Sequence, residues 1–157
     1  MKYRLLTSSL MIFGFMIFSL SCNKGSINPN IPNVSINISI NPNTTIFQEL
    51  NTVGGWVYLD EKPGVYIPFG SRGIIVYRVD IDQFVAYERQ PPNDPDKCCD
   101  DNGCTKLLVG NYFPMVRDTC TETSYFIYDG SIIEGEGRYS LIQYAAVYDG
   151  NLLHIYN

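Results

Sequence analysis

The sequence predicts an all-β domain built as an antiparallel sandwich or a partly open barrel. Short apolar segments alternate with turns rich in glycine, proline and asparagine along most of the chain. No stretch long enough for a helix of ordinary length repeats its apolar residues with the helical period of 3.6. Twelve tyrosines and eight phenylalanines, residue types that favour strands, are spread through these short segments. Many short strands closing on one core are therefore expected.

The strands can be placed in order along the chain. In residues 34–40, β-branched residues alternate with serine and asparagine, which predicts a half-buried strand. Residues 46–50 fit either a short strand or one helical turn, and residues 90–102 are predicted as a loop because Pro91, Pro92 and Pro95 oppose strand pairing. The other predicted strands are residues 56–59, 65–68, 74–79, 84–87, 106–109, 115–117, 125–128, 131–133, 141–148 and 152–156.

The first 22 residues predict export and attachment to a membrane. Lys2 and Arg4 precede an apolar stretch at residues 5–20, which suits a signal peptide better than a spanning helix. The end of this stretch resembles a bacterial lipobox, in which a small residue, Ser21, precedes Cys22. The resemblance implies that residues 1–21 are a lipoprotein signal peptide and that Cys22 carries a diacylglycerol. A plain secretory signal, or an uncleaved anchor with an incidental cysteine, is the alternative.

The mature chain is predicted to be an acidic single domain on a tether. Residues 22–33 contain the lipidated cysteine and a flexible polar tether, and residues 34–157 form the domain. Without Lys2 and Arg4, nine basic residues face 16 acidic ones, a formal net charge of −7. This charge argues against nucleic-acid binding and against attraction to anionic lipid. We therefore expect a protein of the bacterial cell envelope, held at the outer membrane, on its periplasmic or surface face, by the lipid alone.

Four cysteines, Cys98, Cys99, Cys104 and Cys120, predict two disulfides in an oxidising compartment. A bond between the adjacent Cys98 and Cys99 would be strained, which leaves two connectivities open. One pairs residue 98 with 104 and 99 with 120, and the other pairs 98 with 120 and 99 with 104. Either connectivity produces a loop tip held by disulfides. Metal binding by the four thiolates is less favoured, because their spacing matches no familiar motif.

Three sequence pieces resemble the Rieske [2Fe–2S] domain superfamily, and especially its lipoprotein members in Bacteroidetes-type bacteria. Residues 73–78 followed by 84–89 are similar to the strand pair that leads into the first cluster loop. Residues 125–131 with Gly135 are similar to the strand and turn after the second loop, and residues 141–144 with 149–152 to the closing hairpin. The resemblance covers residues 34–157 and implies a Rieske-like antiparallel β fold.

The ligands of a Rieske cluster are missing from this sequence. The family holds its cluster with C-x-H in the first loop and C-x-x-H in the second, so that two histidines bind one iron. Here residues 89–92 contain neither residue type, residues 118–124 contain only Cys120, and His154 is the single histidine. The resemblance therefore implies a member that has lost its cluster. We expect no cofactor, no catalysis, and a binding or structural role with an unknown protein partner; the alternative is an electron-transfer protein with an iron–sulfur cluster held by cysteines.

Other candidate site residues are weaker. Ser124 and Ser131 have no histidine close to them in the sequence, and no G-x-S-x-G motif occurs. His154 is expected to face outward, and the carboxylates Glu134 and Glu136 are expected to be solvated. The aspartates between residues 94 and 101 do not have the spacing of a known calcium loop. Trp56 and the tyrosines are expected in the core, and Arg72 and Arg78 are expected to be ordinary surface charges.

Overall fold

The computed structural model describes residues 28–157, and within them the all-β prediction is confirmed. The strands are β1 (Asn37–Ile40), β2 (Trp56–Tyr58), β3 (Ile74–Asp80), β4 (Gln83–Glu88), β5 (Cys99–Asp100), β6 (Gly103–Cys104), β7 (Met115–Asp118), β8 (Thr123–Phe126), β9 (Ile132–Glu134), β10 (Gln143–Tyr148) and β11 (Leu153–Tyr156). Three short 3₁₀ helices lie at Thr45–Asn51, Leu59–Glu61 and Gly110–Tyr112. The predicted signal peptide and Cys22 lie outside the described residues and stay predictions. No described helix is both long and apolar enough to span a membrane.

The main sheet is a curled, antiparallel half-barrel. Its six strands run in the order β1-β11-β10-β4-β3-β2. A smaller sheet of β7-β8-β9 and the hairpin β5-β6 belong to residues 89–142, which are inserted between the neighbouring strands β4 and β10. The half-barrel is therefore made from the two ends of the described chain, and the insertion covers part of it.

The strand registers give the half-barrel two different ends. At one end, Ile74 pairs with Glu88 and Asn37 with Tyr156. Segment 28–36 and loop 62–73 therefore end there, and the insertion begins there. We call this the loop end. At the opposite end, hairpin turns at residues 81–82 and 149–152 join β3 to β4 and β10 to β11. We call this the turn end.

Two hydrophobic cores lie on opposite faces of β3. Ile74 and Val76 point into the half-barrel, where they pack with Leu50 and Leu153. Ile75 and Tyr77 point to the other face and pack with residues of the insertion, among them Val116, Tyr125 and Ile127. Since a strand buried on both faces needs apolar residues at every position, the continuous run at residues 74–77 suits this central place.

Several predicted elements differ from the structure in extent. Residues 65–68 form no strand, residues 106–109 make a single bridge between Leu108 and Arg117, and residues 46–50 belong to a 3₁₀ helix. The first strand begins at Asn37 rather than at residue 34. Within the predicted tether, Asn28 is buried and donates a hydrogen bond to the carbonyl of Pro92 (2.7 Å). Segment 28–33 is therefore held against the insertion.

Candidate functional site: the disulfide tip and its groove

Both predicted disulfides are present, and the structure selects one of the two connectivities. Cys98 is bonded to Cys120 and Cys99 to Cys104. Cys99 and Cys104 lie directly opposite each other in the hairpin β5-β6, so their bond closes that hairpin. The other bond ties the hairpin to the turn between β7 and β8. We call residues 95–105 the disulfide tip.

The turn that receives Cys98 is itself well supported. The carboxylate of Asp118 is buried and accepts hydrogen bonds from the backbone N–H of Cys120 (2.9 Å) and from the hydroxyl of Thr121 (2.6 Å). Thr121 is also 2.9 Å, oxygen to oxygen, from the hydroxyl of Thr123. Because these hydrogen bonds hold the β7–β8 turn in place, the Cys98–Cys120 disulfide attaches the disulfide tip to a fixed point.

The prediction that Arg72 is an ordinary surface charge is wrong. Its guanidinium donates to the carbonyl oxygens of Pro95 (2.5 Å) and Thr105 (3.2 Å), and it pairs with Asp96 (2.9 Å). Its backbone N–H donates to the carboxylate of Glu88 (2.9 Å). Arg72 therefore joins both sides of the disulfide tip to the loop end of β4, since a planar guanidinium can serve several acceptors at once.

The same prediction for Arg78 is also wrong. Its side chain is buried, lies over the ring of Phe84, and donates to the carbonyl of Leu50 (2.8 Å). It also donates to the carbonyl oxygens of Asp80 and Ile81 in the β3–β4 turn. Its position at the turn end gives it a structural role that is remote from the disulfide tip.

A network of charged side chains, centred on the buried Arg89, lies next to the disulfide tip. Arg89, with 3% of its side chain exposed, donates to the carboxylates of Asp60 (2.8 Å) and Glu61 (2.9 Å), and its guanidinium carbon lies 3.5 Å from the ring centre of Tyr58. Lys106 donates to the same Asp60 oxygen (2.8 Å). Burial raises the pKa of Asp60, but the hydrogen bonds from Lys106 and Arg89 outweigh it and lower the pKa below its usual value.

Sequence reasoning missed this network. Residue 89 figures in the sequence only at the end of a predicted strand pair and in a segment that lacks cluster ligands, and no site prediction falls on Asp60. The two residues are 29 positions apart and come together only when β3 and β4 pair. No local pattern in the sequence signals such a contact.

A groove of about 690 Å³ lies between loop 62–73 and the disulfide tip. Its volume lies within the range of about 300–1,000 Å³ usual for ligand pockets. Ile67, Pro68 and Phe69 give the groove an apolar lining. Asp60, Arg72 and Lys106 give it a charged lining. Phe69 is 98% exposed and Tyr66, in the same loop, is 77% exposed. We call this space the tip groove.

A second, smaller cleft of about 470 Å³ borders β2. Trp56 and Tyr58 line it together with the charged residues Glu49, Glu61 and Lys62, and their ring centres are 4.9 Å apart. The expectation that Trp56 belongs to the core is met in part, because it is half-buried against the second core. Lys62 pairs with Glu49 across the cleft (2.7 Å).

The residues at the disulfide tip do not fit a Rieske cluster. One carboxylate oxygen of Asp96 and the sulfurs of Cys99 and Cys104 lie within 4.8 Å of one another. The two sulfurs are bonded to each other, however, and a cysteine binds a metal as a thiolate, so neither sulfur is a ligand here. Cys120, the only cysteine of residues 118–124, is bonded to Cys98. The pairing leaves no thiolate among Cys98, Cys99, Cys104 and Cys120.

His154 contacts residues of β1 and of the 149–152 turn rather than the cysteines. Its Nδ1 is 2.9 Å from the hydroxyl of Ser39 on β1, and its Nε2 is 3.2 Å from the carboxylate of Asp149 in the 149–152 turn. The backbone N–H groups of Leu152 and Asn151 lower the pKa of Asp149 to about 2. Sequence reasoning did not associate Ser39 with His154. All three side chains lie toward the turn end and line neither the tip groove nor the second cleft. We therefore interpret their hydrogen bonds as structural contacts that join β1, β11 and the 149–152 turn.

The remaining candidate residues make ordinary contacts. Glu134 is exposed and pairs with Arg117, which also donates to the hydroxyl of the buried Ser124 (2.6 Å). Ser131 donates to Asp129 in its own turn. None of these residues lines the tip groove.

Comparison with known proteins adds no family to these observations. No protein-family model matches the sequence, and no curated protein matches it significantly.

Proposed function

We propose that this protein is an exported lipoprotein, anchored to the membrane through Cys22, whose Rieske-like β domain has lost its iron–sulfur cluster. Its role is binding or structural, without catalysis. The anchor rests on the lipobox-like end of the apolar stretch at residues 18–22. Acyl chains on that cysteine would give stable attachment without help from the acidic domain.

The three sequence pieces that resemble the Rieske superfamily lie in ordinary hairpins and turns of the fold, which are compatible with the family proposal. Ile74–Asp80 and Gln83–Glu88 form a hairpin that leads directly into the insertion. Thr123–Phe126 is followed by a turn, and Gln143–Tyr148 and Leu153–Tyr156 close the half-barrel as a hairpin. In this proposal, residues 89–92 and 118–124 of the insertion correspond to the two cluster loops, and the Cys98–Cys120 bond joins the chain that follows the first segment to the second.

The cysteine pairing is the observation that carries the proposal. An electron-transfer role would need thiolates at residues 98, 99, 104 and 120, and these four sulfurs form two disulfides instead. We infer that covalent bonds now hold the two loops that the metal holds in relatives. A protein with such a tip can present a surface but cannot use a cluster to carry electrons.

Metal content and free thiols test this proposal directly. We expect mature protein purified without reductant to be colourless, to contain no iron and to show no free thiol in denaturant, because each cysteine is bonded to sulfur or to lipid. Absorbance, elemental analysis and a thiol-reagent titration on one sample provide the measurement. Stoichiometric iron with visible absorption bands would instead establish the electron-transfer alternative.

The anchor has its own test. We expect the wild-type chain in a lipoprotein-processing bacterium to incorporate labelled fatty acid and to sediment with membranes, because Cys22 is the acceptor. The Cys22→Ser variant is expected to lose the label. Cys120→Ser, which removes a cysteine from the folded domain, is the matched control and should keep the label. Label retained by Cys22→Ser would refute the assignment of this residue.

A further inference from the structure

Loop 63–71 is an exposed apolar segment that the folded domain leaves uncovered. No charged residue occurs between Lys62 and Arg72, and the side chains of Phe69 and Tyr66 are 98% and 77% exposed. Val65 and Ile67, on the opposite side of the loop, pack against the first core. The loop therefore presents its aromatic residues outward from a backbone that is fixed on its inner side.

This loop and the beginning of the described chain lie at the same end of the half-barrel. Segment 28–36 runs to β1 along the loop end, and the side chain of Val34 packs closely against Gly70. Asn28 is fixed by its hydrogen bond to Pro92, two residues beyond Gln90, which lines the tip groove. The point where the chain enters the domain is therefore beside the aromatic loop.

The length of chain before Asn28 limits how far the loop end can lie from a membrane. Five residues lie between Cys22 and Asn28, and the six steps of an extended chain at no more than about 3.6 Å each span about 22 Å in all. If Cys22 carries the lipid, as the proposed function states, the face that holds Asn28 lies within that distance of the bilayer surface. The turn end lies at the far side of the half-barrel.

We propose that Tyr66 and Phe69 insert into the interface of the same membrane and form a second, apolar contact beside the lipid anchor. Aromatic side chains are favoured at the level of the lipid headgroups. The flanking cations do not draw the acidic domain to lipid, because Lys62 is paired with Glu49 and Arg72 with Asp96. The contact is therefore apolar, and the anchor makes it effective by keeping the loop at a high local concentration near the bilayer. The strands then point their turn end away from the membrane.

Tryptophan fluorescence can locate the loop in a bilayer. Trp56 is the single tryptophan of the chain, so a Trp56→Phe background lets one new tryptophan report on its own position. Full-length lipidated protein carrying Phe69→Trp would be reconstituted into phosphatidylcholine–phosphatidylglycerol vesicles with and without brominated acyl chains. Ile81→Trp is the matched control, because Ile81 is also exposed (67%) but lies at the turn end.

We expect the bromines to reduce the fluorescence of the Phe69→Trp protein about twofold or more, since an interfacial indole lies near the acyl chains, and to leave the Ile81→Trp protein almost unchanged. High salt should not reverse the quenching. Protein that floats with the vesicles but shows no quenching at position 69, or stronger quenching at position 81, would overturn the loop contact alone. The absence of quenching at position 69 is also the result expected if the tip groove and its aromatic loop bind a protein partner instead of lipid. Protein that fails to float would overturn the anchor, and the loop contact with it.

Discussion

The substitution Arg89→Met is expected to lower the free energy of unfolding by about 3–5 kcal/mol, because it removes one partner from a buried ion network. The guanidinium is 3% exposed, and the carboxylate of Asp60 that it serves is 11% exposed. Methionine fills part of the volume but leaves Asp60 with Lys106 as its only cation among these groups. Urea unfolding followed by circular dichroism measures the change, provided that the dependence on denaturant stays the same.

Glu49→Gln is the matched control for Arg89→Met. The N–O distance of the Glu49–Lys62 pair, 2.7 Å, is close to the 2.8 Å of the Arg89–Asp60 pair, but Glu49 is 44% exposed. Its loss is expected to cost less than about 1 kcal/mol, because glutamine still offers Lys62 a hydrogen-bond acceptor on the exposed side of the pair, where water also reaches. Equal losses for the two substitutions would show that burial does not give the Arg89 network its importance.

The acid dependence of stability should also change in Arg89→Met. The pKa of Asp60 is lower in the folded protein than in the unfolded chain, so its contribution is present above about pH 4 and is lost as the pH falls through the folded value. Without Arg89, burial opposes Lys106 alone, and the folded pKa should rise toward the unfolded value. We therefore expect the loss of stability below about pH 4 to be smaller in the variant, measured by urea unfolding between about pH 2 and 6.

The sequence identifies faces more reliably than it identifies hydrogen-bonded partners. In residues 65–67 the alternating pattern is correct about burial, since Val65 and Ile67 pack inward and Tyr66 faces solvent. No neighbouring strand pairs with this segment, so it is a loop. Periodicity reflects which side of a chain is covered, whereas strand formation also needs a partner that only the tertiary structure supplies.

The candidate site shows the same division between local and distant information. The four cysteines and an oxidising compartment predict two disulfides, and Asp101, Asn102 and Gly103 are turn-forming residues whose place between Cys99 and Cys104 signals a hairpin. That signal favours the pairing that the structure has. The contacts of Arg72 and Arg89 have no comparable signal, because their partners lie about 23 to 33 and 18 to 29 residues away. The roles of both arginines can therefore be recognised only from the tertiary structure.

Cross-link length should rank the two disulfides. The double substitution Cys98→Ser/Cys120→Ser is expected to lower the free energy of unfolding by about 3 kcal/mol, and Cys99→Ser/Cys104→Ser by about 2 kcal/mol, because a longer closed loop restricts the unfolded chain more strongly. The sequence separations are 22 and 5 residues. Urea unfolding of both variants without reductant measures the difference.

The two bonds should also differ in which residues lose protection from amide hydrogen exchange when each bond is removed. The Cys98–Cys120 bond joins the disulfide tip to the turn that Asp118 supports, whereas the Cys99–Cys104 bond lies within one hairpin. Removing the first bond should therefore speed amide hydrogen exchange both in the tip and in the β7–β8 turn, and removing the second should speed it in the tip alone. A larger loss of unfolding free energy without the Cys99–Cys104 bond would contradict the ranking by loop length. Unchanged exchange at residues 118–123 without the Cys98–Cys120 bond would mean that the hydrophobic core, and not this bond, holds the insertion together.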